Sequence, residues 1–233
     1  MTIHDHAATE TGAHCGGDSC GCHSNPVFDG VDRTYKAILL LVIAINGAMF
    51  FVEMIAGHLA VSQALKADAL DFLGDTLTYG LSLAVIGYPQ RTRAAAALAK
   101  GLSLTGMGLW VIGSTAWELF VLGLPHASLM GGIGILALAA NLASVLLLMR
   151  YKDGDANIRS VWLCSRNDAI GNVVVIAAAG LVWVTTSPWP DLAVAAIMGG
   201  LFLNSSFLIL RQAWAEWQTG EDRGALESHG HVH

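Results

Sequence analysis

The chain has 233 residues, 54% of them hydrophobic and 13% charged, with a formal net charge of −6 and a mean hydropathy of +0.55. Soluble domains carry about 25% charged residues, so this composition excludes an ordinary soluble globule, and the negative balance gives no footing for nucleic acid. No Gly-x-x-x-x-Gly-Lys-Ser/Thr loop, His-Glu-x-x-His or Gly-x-Ser-x-Gly pattern occurs, which argues against ATP-driven pumping by this chain and against common hydrolase sites.

The first segment, residues 1–35, is a polar, Gly-rich tail. Its opening, Met1-Thr2-Ile3-His4-Asp5-His6, has neither the basic region nor the apolar core of a secretory signal. It carries His14, Cys15, Cys20, Cys22 and His23, and it holds three of the chain's four cysteines. In a reducing cytoplasm such thiols bind metal rather than form disulfides. Without metal, a tail of this composition is expected to be disordered. Short Cys/His tracts are compositional signals, and chance composition is the competing explanation.

Six apolar stretches follow: Ala37–Gly57, Ser62–Tyr88, Leu102–Leu122, Leu129–Met149, Ser160–Val184 and Leu192–Leu210. Each meets the roughly 20 residues that a spanning helix requires. They are far too long and too evenly apolar for barrel strands. The fold class expected is therefore all-α, a polytopic membrane protein of six transmembrane helices, with a transport-sized domain over residues 36–211. A short polar tail, residues 212–233, closes the chain with His229, His231 and His233.

Basic residues set the expected orientation. Arg33 and Lys36 precede the first span. Arg91, Arg93 and Lys100 lie between the second and third, and Arg150, Lys152 and Arg159 between the fourth and fifth. Arg211 and Arg223 follow the sixth. The links 57–61, 123–128 and 185–191 have no Lys or Arg. That asymmetry places both termini in the cytoplasm, with Trp183 and Trp189 at the outer interface and Trp162, Trp214 and Trp217 at the inner one.

The second span holds Asp68, Asp71 and Asp75. Asp71 and Asp75 are four apart and share a helix face, with Asp68 on the same side. An Asp at the centre of a membrane helix costs roughly 2.5–3.5 kcal/mol, and neighbouring carboxylates repel. Protons, a cation or both must compensate. The fifth span repeats the spacing with Cys164 and Asp168. Two helices offering two ligands each suit a four-ligand tetrahedral site, and a thiolate favours Zn2+ or Cd2+ over Mg2+ or Ca2+. For each residue a bland role competes: an ion pair with Lys66 or Arg166 for an Asp, and simple burial for Cys164. The matched spacing on two helices favours the functional role. Lys66 is expected to pair with Glu53, and Asn46 and Asn141 to bond across helices. Gly106, Gly108, Gly131, Gly132 and Gly134 are expected at close helix contacts.

From about Tyr35 to Trp214 the chain resembles the cation diffusion facilitators. The resemblance rests on Asp71-x-x-x-Asp75 within Ser62–Asp75, and on Cys164-x-x-x-Asp168 followed by Ala169-Ile170-Gly171-Asn172. Glu53 before Gly57, Asn141, Asn157 and Asp191 also fit. It implies six helices, cytoplasmic termini, and a metal site of Asp71, Asp75, Cys164 and Asp168, with Asp68 and the tail residues as a second tier. It implies export of a divalent transition metal, Zn2+ or Cd2+ first and Co2+ or Ni2+ as further candidates, by proton antiport. The metal is cargo, with no permanent cofactor, and no enzymatic activity is expected. Proton exchange accords with chemistry, because metal and protons compete for the same ligand lone pairs. Cys164 stands where relatives usually have His or Asp, which tilts preference towards thiophilic ions. No accessory His or Asp occurs over 89–100, and the family's C-terminal cytoplasmic domain is expected to be absent. A homodimer would then form through the membrane helices. The expected location is the bacterial inner membrane. A non-transporting membrane metal sensor or chaperone is the alternative, and an intramembrane enzyme with paired Asp a weaker one.

Overall fold

A computed structural model describes residues 33–84, 90–121, 123–149 and 156–229. The tail residues His14, Cys15, Cys20, Cys22 and His23 lie outside the described residues, as do His231 and His233. The described residues form six helices: α1 (Arg33–Leu59), α2 (Gln63–Ala84), α3 (Gln90–Val121), α4 (Ala127–Leu148), α5 (Ala156–Thr185) and α6 (Trp189–His229). Five of them are long and apolar enough to cross a membrane. The exception is α2, which holds Lys66, Asp68, Asp71 and Asp75. Its place in the bundle comes from neighbouring helices rather than from apolarity.

Two boundaries differ from expectation. The third helix begins at Gln90 rather than Leu102, so the expected connecting loop is helical. Arg91, Arg93 and Lys100 depress hydropathy there, but Ala94–Ala97 and Ala99 are the strongest helix formers. The sixth helix continues past Leu210 to His229.

α3 packs chiefly on α6, α4 on α5 and α1 on α2, whereas α2 meets α5 lightly. The α3–α6 seam depends on missing side chains. A Cβ at Gly101 would stand 2.6 Å from Leu210, one at Gly108 2.9 Å from Leu203, and one at Gly199 2.9 Å from Ile112. Gly134 is similarly tight against Ile176 at 3.0 Å, but Gly106 and Gly132 have open space within 4 Å. The close-packing expectation therefore holds for Gly108 and Gly134 and fails for Gly106 and Gly132. The side chains Phe51, Trp117, Phe120, Trp183 and Trp189 face outward, as a membrane exterior requires.

The start of α2 is fastened by a residue far away in sequence. Asp191, at the start of α6, accepts hydrogen bonds from Ser62 Oγ (2.6 Å), Gln63 N (2.7 Å) and Ala64 N (3.1 Å). Ser62 Oγ in turn accepts from Leu65 N at 3.1 Å. These bonds satisfy donors that a helix N-terminus otherwise leaves open, and the carboxylate opposes the positive end of the helix dipole. Just before it, Val61 adopts φ 55°, a left-handed conformation unfavourable for a β-branched residue.

Two expected pairings do not form. Both Glu53 carboxylate oxygens lack a hydrogen-bond partner, so Lys66 does not bind them. The two helices approach so closely at Gly57, where a Cβ would lie 2.9 Å from Lys66 Cγ, that the Lys66 stem packs against the α1 backbone instead. Asn46 is buried, but neither its amide nitrogen nor its oxygen has a partner. Arg166 is exposed and lies over the Trp162 ring at 5.5 Å, a cation–π contact that holds its charge at the periphery.

Candidate metal-cation site

α2 and α5 bring three of the four expected ligands together. Asp71, Asp75 and Asp168 are mutual neighbours. The 3.6-residue period puts Asp71 and Asp75 on one face of α2, and the open α2–α5 seam leaves that face free to meet Asp168. Asp75 Oδ2 accepts a 3.0 Å hydrogen bond from Tyr79 Oη one turn along. Asp168 Oδ2 is buried with no partner. Asn172, the next residue on that α5 face, turns back to donate from Nδ2 to Asp168 O at 3.1 Å.

The fourth expected ligand, Cys164, is buried one turn along α5. It packs in an apolar cluster with Leu39, Val42, Tyr79 and Leu148. Tyr79 thus touches both parts, through its ring to the cysteine cluster and through its hydroxyl to Asp75.

Among the described residues, no group of three or more His, Cys, Asp and Glu side chains stands close enough to hold a metal ion.

Lys100 is the residue that the sequence reading missed. It was expected in a loop, but the early start of α3 carries it three turns into the helix. It is 7% exposed and lies beside Asp75. Together with Asp71, Asp75, Thr78 and Ser205 it lines a pocket between α2, α3 and α6. The signal that could have found it is helix propensity over Ala94–Ala99, since hydropathy alone reads the three basic residues as a loop. With all groups ionised, Asp71, Asp75 and Asp168 against one ammonium leave two net negative charges.

Asp68 lies further along α2, towards its N-terminus. It is buried, its Oδ2 is unpartnered, and its neighbour is Glu53 of α1.

Residues 39–216 match the family model of the cation efflux transmembrane domain. The chain is similar to the metal cation efflux system protein CzcD of Cupriavidus metallidurans, 25% identical over 203 residues, covering 82% of this chain and 63% of that protein. It is 26% identical over 191 residues to the zinc transporter ZitB of Escherichia coli, covering 76% and 58% respectively. With the cadmium, cobalt and zinc/H(+)-K(+) antiporter of Bacillus subtilis it shares 29% identity over 195 residues, or 76% and 61%. The similarity therefore spans about three fifths of the length of these relatives.

Proposed function

The chain belongs to the cation efflux family, and we propose that it is a secondary transporter that exports a divalent transition-metal cation from the cytoplasm in exchange for protons. Zn2+ and Cd2+ are the leading cargoes, with Co2+ and Ni2+ as further candidates. The observation that carries this reading is the meeting of Asp71, Asp75 and Asp168 across two helices that pack only lightly on each other, with the Lys100 ammonium beside them. The names of the relatives point the same way, since one is a zinc transporter and another a cadmium, cobalt and zinc antiporter.

In this reading Asp71, Asp75, Cys164 and Asp168 bind the cargo. All six helices cross the bacterial inner membrane with both termini in the cytoplasm, as the Lys/Arg asymmetry supports. The tail thiols and imidazoles of residues 14–23 collect ions and pass them to the site. Binding a cation displaces protons from the carboxylates and the thiol. Reprotonation from the outer side then expels it. Lys100 matters here because a site that held the cation too tightly would not release it.

Uptake of 65Zn2+ by everted vesicles containing the full chain tests the assignment. Asp75→Ala and Asp168→Ala are each expected to lower uptake by at least about ten-fold, the scale on which ligand-shell changes act. Undiminished uptake in both would end the reading. Metal binding with no flux in the parent protein would instead support a sensor or chaperone.

A further inference from the structure

The acidic residues of the bundle extend beyond the proposed cargo site. Glu53 is 0% exposed and Asp68 2% exposed. They come from different helices, α1 and α2, and their carboxyls face each other within interacting distance. Three of their four oxygens, Glu53 Oε1, Glu53 Oε2 and Asp68 Oδ2, are fully buried with no donor from outside the pair, and the two carboxyls lie within hydrogen-bonding reach of each other. Lys66 does not answer them, because its stem is committed to the α1 backbone at Gly57. A buried polar group left unpaired costs about 1–3 kcal/mol, and a charged one more. Three such oxygens in one place are unfavourable unless a proton or a metal cation sits between them.

Position adds a second argument. Glu53 lies six residues before the end of α1 at Leu59, and Asp68 five residues after the start of α2 at Gln63. The pair is thus close to the α1–α2 link. Asp75 is seven residues further along α2, about 10 Å at 1.5 Å per residue. That separation is too large for one cation to be shared between Asp75 and Glu53. Asp71 bridges it, one turn from Asp68 and within interacting distance of both Glu53 and Asp68, so a cation has a short step from one place to the other.

We propose that Glu53 and Asp68 form a second divalent-cation site, a relay position between the Asp71–Asp75–Asp168 cluster and the end of the bundle at the α1–α2 link. Its ligands are carboxylate oxygens from two helices, with water completing the shell. Oxygen-only ligation does not select thiophilic ions, so the relay accepts Mn2+ and Co2+ as well as Zn2+. Selection is left to the cargo site with Cys164. The meaning of a relay rests on the transport reading, but its existence is decided by binding alone.

Mn2+ is the suitable probe, because it prefers oxygen ligands and competes poorly for the thiols of the tail. The full-length protein carrying Asp75→Ala is titrated with Mn2+, and free Mn2+ is counted by its electron paramagnetic resonance signal. One Mn2+ equivalent is expected to remain, and adding Glu53→Gln or Asp68→Asn is expected to weaken it by roughly ten-fold or more. Glu53→Asp should restore part of the loss, because a carboxylate is returned. If Glu53→Gln does not fold, Asp68→Asn decides by the same count. Mn2+ binding unchanged by these substitutions would overturn the proposal, since a pair that merely shared a proton would tolerate the neutral amide. If the parent protein moves no cation in vesicles, the transport reading falls while the Mn2+ count still decides the site.

Discussion

Asp75 is the side chain on which most of the local chemistry converges. It accepts from Tyr79 at 3.0 Å, stands beside Lys100 and neighbours Asp71 and Asp168. In the proposed transporter Lys100 is a tethered positive charge that a cargo cation must work against. Lys100→Met is expected to tighten Cd2+ binding by about ten-fold, since opposing charges a few ångströms apart interact by several kcal/mol in a protein interior. The same change should slow turnover, because release becomes the difficult step. Titration calorimetry of the purified chain reads the first effect and vesicle flux the second. Weaker Cd2+ binding would show that the ammonium does not face the cargo. Cys164 sets a separate expectation. Cys164→His should lower the Cd2+ to Zn2+ preference, because imidazole is a harder ligand than thiolate. An unchanged ratio would mean that the sulfur does not touch the metal. The carboxylates of this site were legible in the sequence, because Asp-x-x-x-Asp spacing reports a shared helix face wherever the helix lies. Lys100 was not, because its meaning depends on where α3 begins.

The elements are held in place at their ends and seams rather than by apolarity alone. α2 is the least apolar helix of the bundle core, and Asp191 fixes its first turn to α6 through three hydrogen bonds. Asp191→Ala leaves the Gln63 and Ala64 amides without this acceptor. It is expected to cost about 1–2 kcal/mol, in the range of a lost N-cap, and to lower the unfolding temperature in detergent. An unaltered unfolding temperature would show that the cap is dispensable. Val61 is the opposite case. Its φ of 55° stores strain that Val61→Gly should relieve, raising stability by about 1 kcal/mol in the same measurement. At the α3–α6 seam, Gly101 leaves no room for a branched side chain, and Gly101→Leu is expected to prevent the two helices from closing. The sequence foretold that small residues mark close contacts, but not which ones. Gly106 and Gly132 have the same composition signal as Gly108 and Gly134, and they face open space because their helix faces point away from a neighbour.

At the scale of the molecule, five apolar helices surround one that is not. A lipid bilayer admits a helix with three aspartates only if the charges are turned inward and neutralised. The bundle turns them inward, and in the proposed transporter cations or protons neutralise them. Exchange between the two follows, and its sign can be stated. Acidification fills the carboxylates with protons, so apparent cation affinity falls as pH falls, by about ten-fold per pH unit for each proton displaced. In proteoliposomes, cation movement should follow an imposed pH gradient and lose its uphill component when the gradient is collapsed with an ionophore. Flux indifferent to the gradient would remove proton exchange from the mechanism.

The sequence by itself determined that the chain is a helical membrane protein and which two helices carry the acids. Both facts are written in local patterns: runs of apolar residues about as long as a bilayer is thick, and polar residues one helical turn apart. It could not determine which charges meet. Lys66 and Glu53 looked like partners by sign and proximity along the chain, yet the closeness of α1 and α2 at Gly57 turns the lysine away and leaves Glu53 facing Asp68. Lys100 looked like a loop cation, yet it lies against Asp75. The α2 start needed Asp191, a residue close in space but far away in sequence. These pairings depend on distances between helices, and interhelical distance is set by packing of small against large side chains across the whole fold, which no stretch of sequence contains.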